Sequence, residues 1–362
     1  MLDTTDKKVF FFGCPIDCDE QHVSIEEKHA QKWRVDQEED PLVKVMNLVS
    51  QKIPENYWQS LGSIEVPSWL RPQPPLSVLD RVNADAFIKF IEGSGYLEYV
   101  DKVEKLVKDK ILPDIPGMIV VDHCLTGGCF KAVSEYYGPE NVSLIVLDSH
   151  TDAIPISATL GAIHYDIETN RHSVHDKNDP LLYDRKDSYN ASSFLRTLLS
   201  EEIVEPENLY LIGISDYPSK TAFQIKDRRI VDYVNAFSCL KKEGVKIITK
   251  KDYRTTPFKL KNIIQRIKTP YIYLSIDLDI GSRNAVEAVR FTHWEGLAAA
   301  QIKKIMAVIE SLFKKDGKKL VGFDLNEFNC RLAGRQGVND PDHIYDFATE
   351  LIEGIMRSAL KM

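Results

Sequence analysis

A short segment of the chain places three strong metal-ligand side chains at alternate positions. Asp148, His150 and Asp152 follow directly after the apolar run at residues 143–147. Side chains at positions i and i+2 of an extended segment point the same way, about 6 to 7 Å apart, so Asp148 and His150 can reach one site. Carboxylates combined with imidazole suit Mn²⁺ and similar divalent ions. The segment therefore predicts a metal site, provided that other parts of the chain supply partners.

Acidic or imidazole side chains also follow three other apolar runs. They are Asp122 with His123, Asp277 with Asp279, and Asp324 with Glu327. Four or five carboxylates cannot be buried together without compensation, because their mutual repulsion would force protonation or disrupt the fold. Bound divalent cations are the simplest compensation, and two ions about 3.5 to 4 Å apart would share bridging aspartates.

The elements that must position these side chains alternate between short apolar runs and longer amphipathic segments, which is typical of βα units. The predicted strands cover residues 9–13, 118–122, 144–147, 209–214, 245–248, 271–276 and 320–324. The predicted helices cover residues 84–110, 126–137, 191–202, 220–242, 257–268, 297–315 and 340–361. Strands with little alternation between apolar and polar residues indicate a mostly parallel sheet that is covered on both faces. Ligands bind beyond the carboxyl ends of such strands.

We predict a single domain over residues 1–362, a three-layer αβα sandwich with a roughly eight-stranded central sheet. The proline-rich stretch at about residues 17–80 is expected to form a less regular excursion of surface helices and loops. The polar, turn-rich residues 166–188 predict a long loop.

Composition excludes several classes of protein. With 46 basic and 54 acidic residues, the formal charge of −8 provides no basic field for a nucleic acid. No apolar run approaches the roughly 20 residues that span a bilayer, and the N-terminus lacks a signal-peptide core, so we expect a cytoplasmic protein without a membrane partner. Six scattered cysteines indicate reduced thiols rather than a disulfide framework.

Three motifs resemble those of the ureohydrolase superfamily, which contains arginase, agmatinase and formimidoylglutamase. The segments Val121-Asp122-His123-Cys124, Asp148-Ser149-His150-Thr151-Asp152 and Ser275-Ile276-Asp277-Leu278-Asp279 are similar to Gly-Gly-Asp-His-Ser, Asp-Ala-His-x-Asp and Ser-x-Asp-x-Asp of that family, in the same order. The resemblance extends from about Val9 to the C-terminus. It implies the arginase-like fold and two Mn²⁺ ions, although other divalent ions are possible.

The resemblance also implies roles for individual residues. One ion would be held by His123, Asp148, Asp152 and Asp277, and the other by Asp148, His150, Asp277 and Asp279. A water between the ions would become a hydroxide that attacks the trigonal carbon of a guanidinium or amidine. Asp152 would orient this hydroxide, His164 would transfer a proton to the departing amine, and Glu327 would bind the guanidinium through paired hydrogen bonds.

Several positions depart from the family pattern around the substrate. Val120-Val121 replaces the Gly-Gly pair, Ile280-Gly281 follows Asp279 where the family has Asp-Pro, and Ile154 stands where arginases carry an asparagine. Phe291 and Trp294 replace a small Gly-Thr-Pro run and predict an aromatic pocket wall. These changes argue against free arginine as the substrate.

We therefore expect a manganese hydrolase of a C–N bond in a linear amidine or guanidino compound, acting on a small molecule and forming a homo-oligomer. Two alternatives remain open. A deacetylase-like amidohydrolase would use the same metals on acetylated amines, and a catalytically inactive metal-binding member of the family would catalyse neither reaction.

Overall fold

An eight-stranded sheet forms the centre of the computed structural model, which describes residues 7–30, 40–255, 257–292, 295–334, 342–360 and 362. The strands are β1 Val9–Cys14, β2 Trp58–Ser63, β3 Ile115–Val120, β4 Val142–Leu147, β5 Leu209–Ile214, β6 Lys246–Thr249, β7 Tyr271–Asp277 and β8 Lys319–Asn326. They lie in the order β2-β1-β3-β8-β7-β4-β5-β6, and each pairing in this order is parallel. The predicted sheet is confirmed, and it is entirely parallel.

Helices cover both faces of this sheet, as the right-handed crossovers between parallel strands require. They are α1 His22–Ala30, α2 Pro41–Lys52, α3 Ala84–Glu92, α4 Gly95–Leu106, α5 Thr126–Tyr137, α6 Ile156–Thr169, α7 Phe194–Ser200, α8 Arg228–Glu243, α9 Lys250–Thr255, α10 Pro257–Ile264, α11 Ala299–Lys314 and α12 Ile344–Ala359.

Two hydrophobic cores lie on opposite faces of the sheet because neighbouring strand residues point in opposite directions. In β4, Ile145 and Leu147 pack in the core that contains residues of α2, α10, α11 and α12. Leu144 and Val146 pack in the other core, with residues of α3, α4, α5, α7 and α8. Burial on both faces explains why the strand sequences are continuously apolar. This is the three-layer arrangement predicted from the sequence.

The strand order brings the chemically active strand ends together. Strands β3, β8, β7 and β4 are consecutive neighbours, and Asp277 at the end of β7 pairs with Asn326 of β8. The residues that follow β3, β7 and β4 therefore leave the sheet at one edge. This edge carries the three motifs identified in the sequence.

Several elements differ from the sequence prediction. Strand β2 lies within the stretch at residues 17–80 that was expected to hold only helices and loops, and Gln59 and Ser60 of this edge strand are exposed. A mostly exposed edge strand lacks the apolar run that marks a buried one. Helix α6 was not among the predicted helices, and its last residues, up to Thr169, lie in the stretch 166–188 that was predicted as a loop. Most of its side chains are only half-buried, which weakened the helical pattern.

The predicted helix at residues 84–110 is divided between α3 and α4 around Gly93 and Ser94. Ser94 has a φ of 65°, a left-handed conformation that interrupts a right-handed helix. All six cysteines are free thiols, as predicted. In the described part of the chain, we find no helix with both the length and the hydrophobicity that a bilayer span requires.

Candidate metal centre

Three carboxylates surround one nitrogen of a buried imidazole at the carboxyl edge of the sheet. The Nδ1 atom of His123, just beyond β3, lies 3.2 Å from Asp148, 2.9 Å from Asp152 and 3.3 Å from Asp277. His123 and Asp148 are fully buried, and Asp152 and Asp277 are nearly so. One ligand atom from each of these four side chains lies within 4.8 Å of the others. Four side chains from three strand ends thus converge on a space that could hold one metal ion.

A second group of ligands adjoins the first and shares Asp148 with it. The Nδ1 atom of His150 lies 2.7 Å from Asp279 and 3.7 Å from Asp148. The side chains of Asp148, His150 and Asp279 form a compact set of potential ligands. The resemblance implied Asp277 in both groups, whereas the structure places Asp277 in the first group. Asp148 is therefore the carboxylate that links the two groups.

Local hydrogen bonds shape the two loops that follow β4 and β7 and carry candidate metal ligands. A carboxylate oxygen of Asp148 accepts from the backbone N–H of His150 at 2.6 Å, and one of Asp277 accepts from the N–H of Asp279 at 2.8 Å. These bonds turn each chain sharply as it leaves its strand, as aspartate does in turns. Asp152 has a left-handed φ of 48°, which a non-glycine residue rarely adopts and which occurs most often at functional sites.

Asp216, which sequence reasoning missed, supports the loop between the two groups. Its carboxylate accepts from the N–H of Thr151 at 3.0 Å and from the Thr151 hydroxyl at 2.6 Å. Burial raises the pKa of Asp216 to about 6, against the opposing effect of His150. Asp216 lies just beyond β5, so the rule that located the other strand-end carboxylates could have found it.

Ser275 and Asp324 support the imidazole of His123 from the side opposite its Nδ1 atom. The Nε2 atom of His123 lies 2.9 Å from the Ser275 hydroxyl, which donates to Asp324 at 2.6 Å. Tyr273 also donates to Asp324, at 2.6 Å. Such contacts fix the ring orientation of a metal-ligating histidine. Asp324 is thus an orienting carboxylate for His123 rather than a member of either ligand group among the described residues.

The electrostatics of this cluster favour bound positive charge. Burial acts to lower the pKa of His123, but three adjoining carboxylates outweigh it and raise the pKa well above its ordinary value. Burial raises the pKa values of Asp148 and Asp277, and repulsion from neighbouring aspartates adds to the effect. The pKa of Asp279 is lowered, since His150 overcomes the opposing effect of burial. The carboxylates therefore require positive charge, from protons or from cations.

The donor set fits divalent cations. His123 Nδ1, one oxygen of Asp148 and one oxygen of Asp279 are buried atoms without a hydrogen-bond partner. Buried polar atoms are almost always hydrogen-bonded or coordinated, so these atoms are suited to coordinate a cation. Oxygen and imidazole donors without a thiolate suit Mn²⁺ or a similar ion.

A family model described as the arginase family matches residues 96–338, which is more than half of the chain. The chain belongs to the arginase family. Comparison with curated protein sequences gives no match.

Solved structures of arginase-family proteins share the fold at low sequence identity. Arginase from Bacillus subtilis is 15% identical, with a TM-score of 0.56 and coverage of 97% of this chain and 98% of that chain. Formimidoylglutamase from Bacillus subtilis is 16% identical, with a TM-score of 0.54 and coverage of 99% and 88%. Proclavaminate amidino hydrolase from Streptomyces clavuligerus is 15% identical, with a TM-score of 0.54 and coverage of 98% and 92%. At these identities, the similarity shows the fold.

A cavity of about 500 Å³ lies near the candidate metal centre of this arginase-family chain, although none of the six candidate ligands is among its described lining residues. Its wall includes Asp122, Phe291 and residues of α6. The ring of Phe291 meets that of His150 edge-on, with centroids 6.1 Å apart, so the cavity borders the second ligand group. Ile154 is buried, and its N–H donates to Ser192, a residue of the cavity wall. Trp294, the other residue expected in the pocket wall, lies outside the described residues.

His164 and Glu327 lie in different surroundings. His164 lies on α6, where its ring stacks on Tyr183 with centroids 5.0 Å apart, and its Nε2 is buried without a hydrogen-bond partner. Its neighbour Ile163 lines the cavity, while His164 is not among the described lining residues. Glu327 is buried beside the first ligand group and accepts from the backbone N–H of His123 at 3.1 Å.

Proposed function

We propose that this arginase-family protein is a binuclear manganese hydrolase that cleaves a non-peptide C–N bond in a linear amidine or guanidino compound other than free arginine. The observation that carries the proposal is the convergence of two ligand groups on Asp148 beside a cavity. The names of the related structures, arginase, formimidoylglutamase and proclavaminate amidino hydrolase, support this class of substrate.

Six side chains would hold the two ions. The first ion would take His123, Asp148, Asp152 and Asp277, and the second would take Asp148, His150, Asp279 and, as the family pattern implies, Asp277. Bound together, such ions lower the pKa of water and so supply a nucleophile near neutral pH. The orphaned atoms of His123, Asp148 and Asp279 support the assignment.

The residues of the chain would complete the reaction by positioning and proton transfer. Asp152 reaches the first ligand group and would orient the attacking water through its carboxylate. His164 would carry a proton to the departing amine, and its unpaired Nε2 is a suitable atom for that transfer. Helix α6 also contributes Ile156, Thr159, Leu160 and Ile163 to the cavity wall, so His164 lies on a helix that borders the cavity.

The charge of the cavity wall suits a cationic small molecule. Four carboxylates and two guanidinium groups line it: Asp19, Glu20, Asp122, Asp179, Arg185 and Arg290. Arg185 pairs with Glu20 at 3.0 Å, and Arg290 pairs with Asp122 at 3.2 Å. Asp19 and Asp179 remain as the carboxylates in excess. They would attract an amine or amidine and disfavour an anion.

Turnover assays on metal-loaded protein test the proposal. Purified protein with Mn²⁺ should release urea or ammonia from at least one member of a panel of linear guanidines and amidines, and the Asp148→Asn variant should release neither. Acetate release from acetylated amines would instead identify a deacetylase-like amidohydrolase. If Mn²⁺ binds but no substrate in either panel reacts, the hydrolase proposal is wrong and a metal-binding role replaces it.

We also propose a homo-oligomer in the cytoplasm. Analytical ultracentrifugation of the full chain would test the assembly, and a single species at the monomer mass of 41.3 kDa would overturn it.

A further inference from the structure

Arg290 is a buried arginine at the border of the candidate metal centre. Its side chain is only 6% exposed. The Nη1 atom lies 3.2 Å from Asp122, Nη2 lies 3.5 Å from Asp17, and Nε lies 3.7 Å from Glu327. A guanidinium buried this deeply is tolerated only when surrounding carboxylates compensate its charge. The three carboxylates therefore form a site that binds a guanidinium.

The two oxygens of the Glu327 carboxylate have different neighbours. One accepts from the N–H of His123 at 3.1 Å. The other, which has no hydrogen bond, faces Nε of Arg290 at 3.7 Å. Glu327 is 1% exposed, so little room remains for solvent around it. A second guanidinium could reach this carboxylate only after Arg290 had moved.

Backbone contacts hold Arg290 and Glu327 together. The N–H of Arg290 donates to the carbonyl of Glu327 at 3.1 Å, and the adjoining residues Val289 and Phe328 form an antiparallel bridge. The N–H of Glu327 donates to the carbonyl of Val121, at the end of β3. Glu327 also has a left-handed φ of 65°, a conformation that a non-glycine residue adopts only when its surroundings hold it there. The pairing is thus part of the fold.

We propose that Arg290 determines substrate specificity by supplying, from within the chain, the guanidinium that Glu327 would otherwise bind from a substrate. The inference rests on the proposed hydrolase function and narrows its substrate class. A substrate guanidinium at the metal centre would lie beside two divalent cations without the carboxylate of Glu327 to pair with its charge. The reacting C–N group is therefore uncharged at neutral pH, as in an amidine or guanidine whose basicity is lowered by an acyl substituent, and it is not an alkylguanidinium.

The positive charge favoured by the cavity then belongs to a different part of the substrate. Asp19 and Asp179, the carboxylates in excess in the wall, are available to a remote amine. Arg290 itself lines this cavity, and its guanidinium lies over the ring of Phe291 at 5.4 Å. The substrate class is therefore a linear molecule with a cationic end and an uncharged hydrolysable end.

Calorimetric binding of methylguanidinium to Mn²⁺-loaded protein tests the role of Arg290. The Arg290→Met variant should bind this probe at least about ten-fold more tightly than wild type, because a charge-assisted pair with Glu327 becomes available. The double variant Arg290→Met/Glu327→Gln should bind methylguanidinium no more tightly than wild type. The exposed Arg283→Met is the matched control and should bind as wild type does. A folded, metal-loaded Arg290→Met protein that binds no more tightly would overturn the proposal.

The Glu327→Gln variant provides a second test that retains the buried arginine. Since the guanidinium of Arg290 already lies against the carboxylate of Glu327, the affinity of this variant for methylguanidinium should remain within about two-fold of that of wild type. A loss of ten-fold or more would show that Glu327 is open to guanidinium ligands and would overturn the proposal even if Arg290→Met does not fold. Binding is measured without turnover, so either result stands whether or not the protein hydrolyses any member of the substrate panel.

Discussion

The Nδ1 atom of His150 lies 2.7 Å from a carboxylate oxygen of Asp279. The two residues follow β4 and β7, which are adjacent and parallel in the sheet. Because both strands end at the same edge, two loops far apart in the sequence supply a single site. The order of the strands in the sheet therefore brings the ligands of the candidate metal centre together.

Replacement of Asp148 by asparagine should remove at least one metal ion. Asp148 belongs to both ligand groups, and an amide keeps its shape but not its negative charge. Wild-type protein should bind about two Mn²⁺ per chain and the variant about one or none, as measured by elemental analysis after dialysis. The exposed Asp232→Asn on α8 is the matched control and should retain the wild-type content. Equal metal content in all three proteins would contradict the shared-ligand assignment.

Manganese affinity should increase with pH. The pKa values of His123, Asp148 and Asp277 are raised, so protons occupy the site and must leave before a cation can bind. Binding becomes tighter as pH rises because fewer protons have to be displaced. Titration calorimetry in buffers of different ionisation enthalpy should show net proton release at neutral pH. A pH-independent affinity with no released protons would refute this account.

The Asp19→Asn variant should be more stable than wild type at pH 7.5. Burial raises the pKa of Asp19 to about 6, with Arg290 opposing the shift. The stabilisation due to its protonated form is complete below about pH 4 and is lost as pH rises through about 6. Asparagine avoids that loss, which has an upper limit of roughly 3 kcal/mol in the free energy of unfolding.

Urea unfolding measures this effect. The difference between Asp19→Asn and wild type should be clear at pH 7.5 and nearly absent at pH 4, and the exposed Asp316→Asn should show no such pattern. A difference of equal size at both pH values would argue against a raised pKa of Asp19. Since Asp19 lines the cavity, the same variant should bind cationic substrates more weakly.

Replacement of Gly213 by alanine should damage both stability and metal binding. Gly213 has a φ of +106°, and an added Cβ would lie 2.6 Å from the side chain of Ile280 and 2.8 Å from the carbonyl oxygen of Asp148. The combined backbone strain and clash should cost about 2 to 4 kcal/mol in the free energy of unfolding.

Gly317 provides the control for the backbone conformation alone. It has a φ of +66°, and an added Cβ would meet no atom within 4 Å, so Gly317→Ala should cost about 1 kcal/mol and leave metal content unchanged. Chemical denaturation and elemental analysis of both variants measure the contrast. If the two variants lost comparable amounts of unfolding free energy and of bound metal, the close approach of Gly213 to Asp148 would not matter for metal binding.

Much of the fold follows directly from the sequence. The continuous apolar runs predict strands buried on both faces, and the seven predicted strands are all present in the sheet. Strand β2 was missed because it is an exposed edge strand, and an edge strand needs only one paired neighbour and no apolar cover. The His and Asp side chains at the ends of β3, β4 and β7 could be identified because parallel strands bring their carboxyl ends to one edge whatever their order.

What the sequence determined by itself is the chemical character of this protein: an arginase-family sheet with carboxylate and imidazole ligands at its carboxyl edge. Tertiary structure alone decided which partners those side chains meet. The support of Thr151 by Asp216, the support of His123 by Ser275 and the pairing of Arg290 with Glu327 all join distant segments. The local pattern of a strand encodes its burial, whereas the contacts of loop side chains depend on how every strand and helix packs around them.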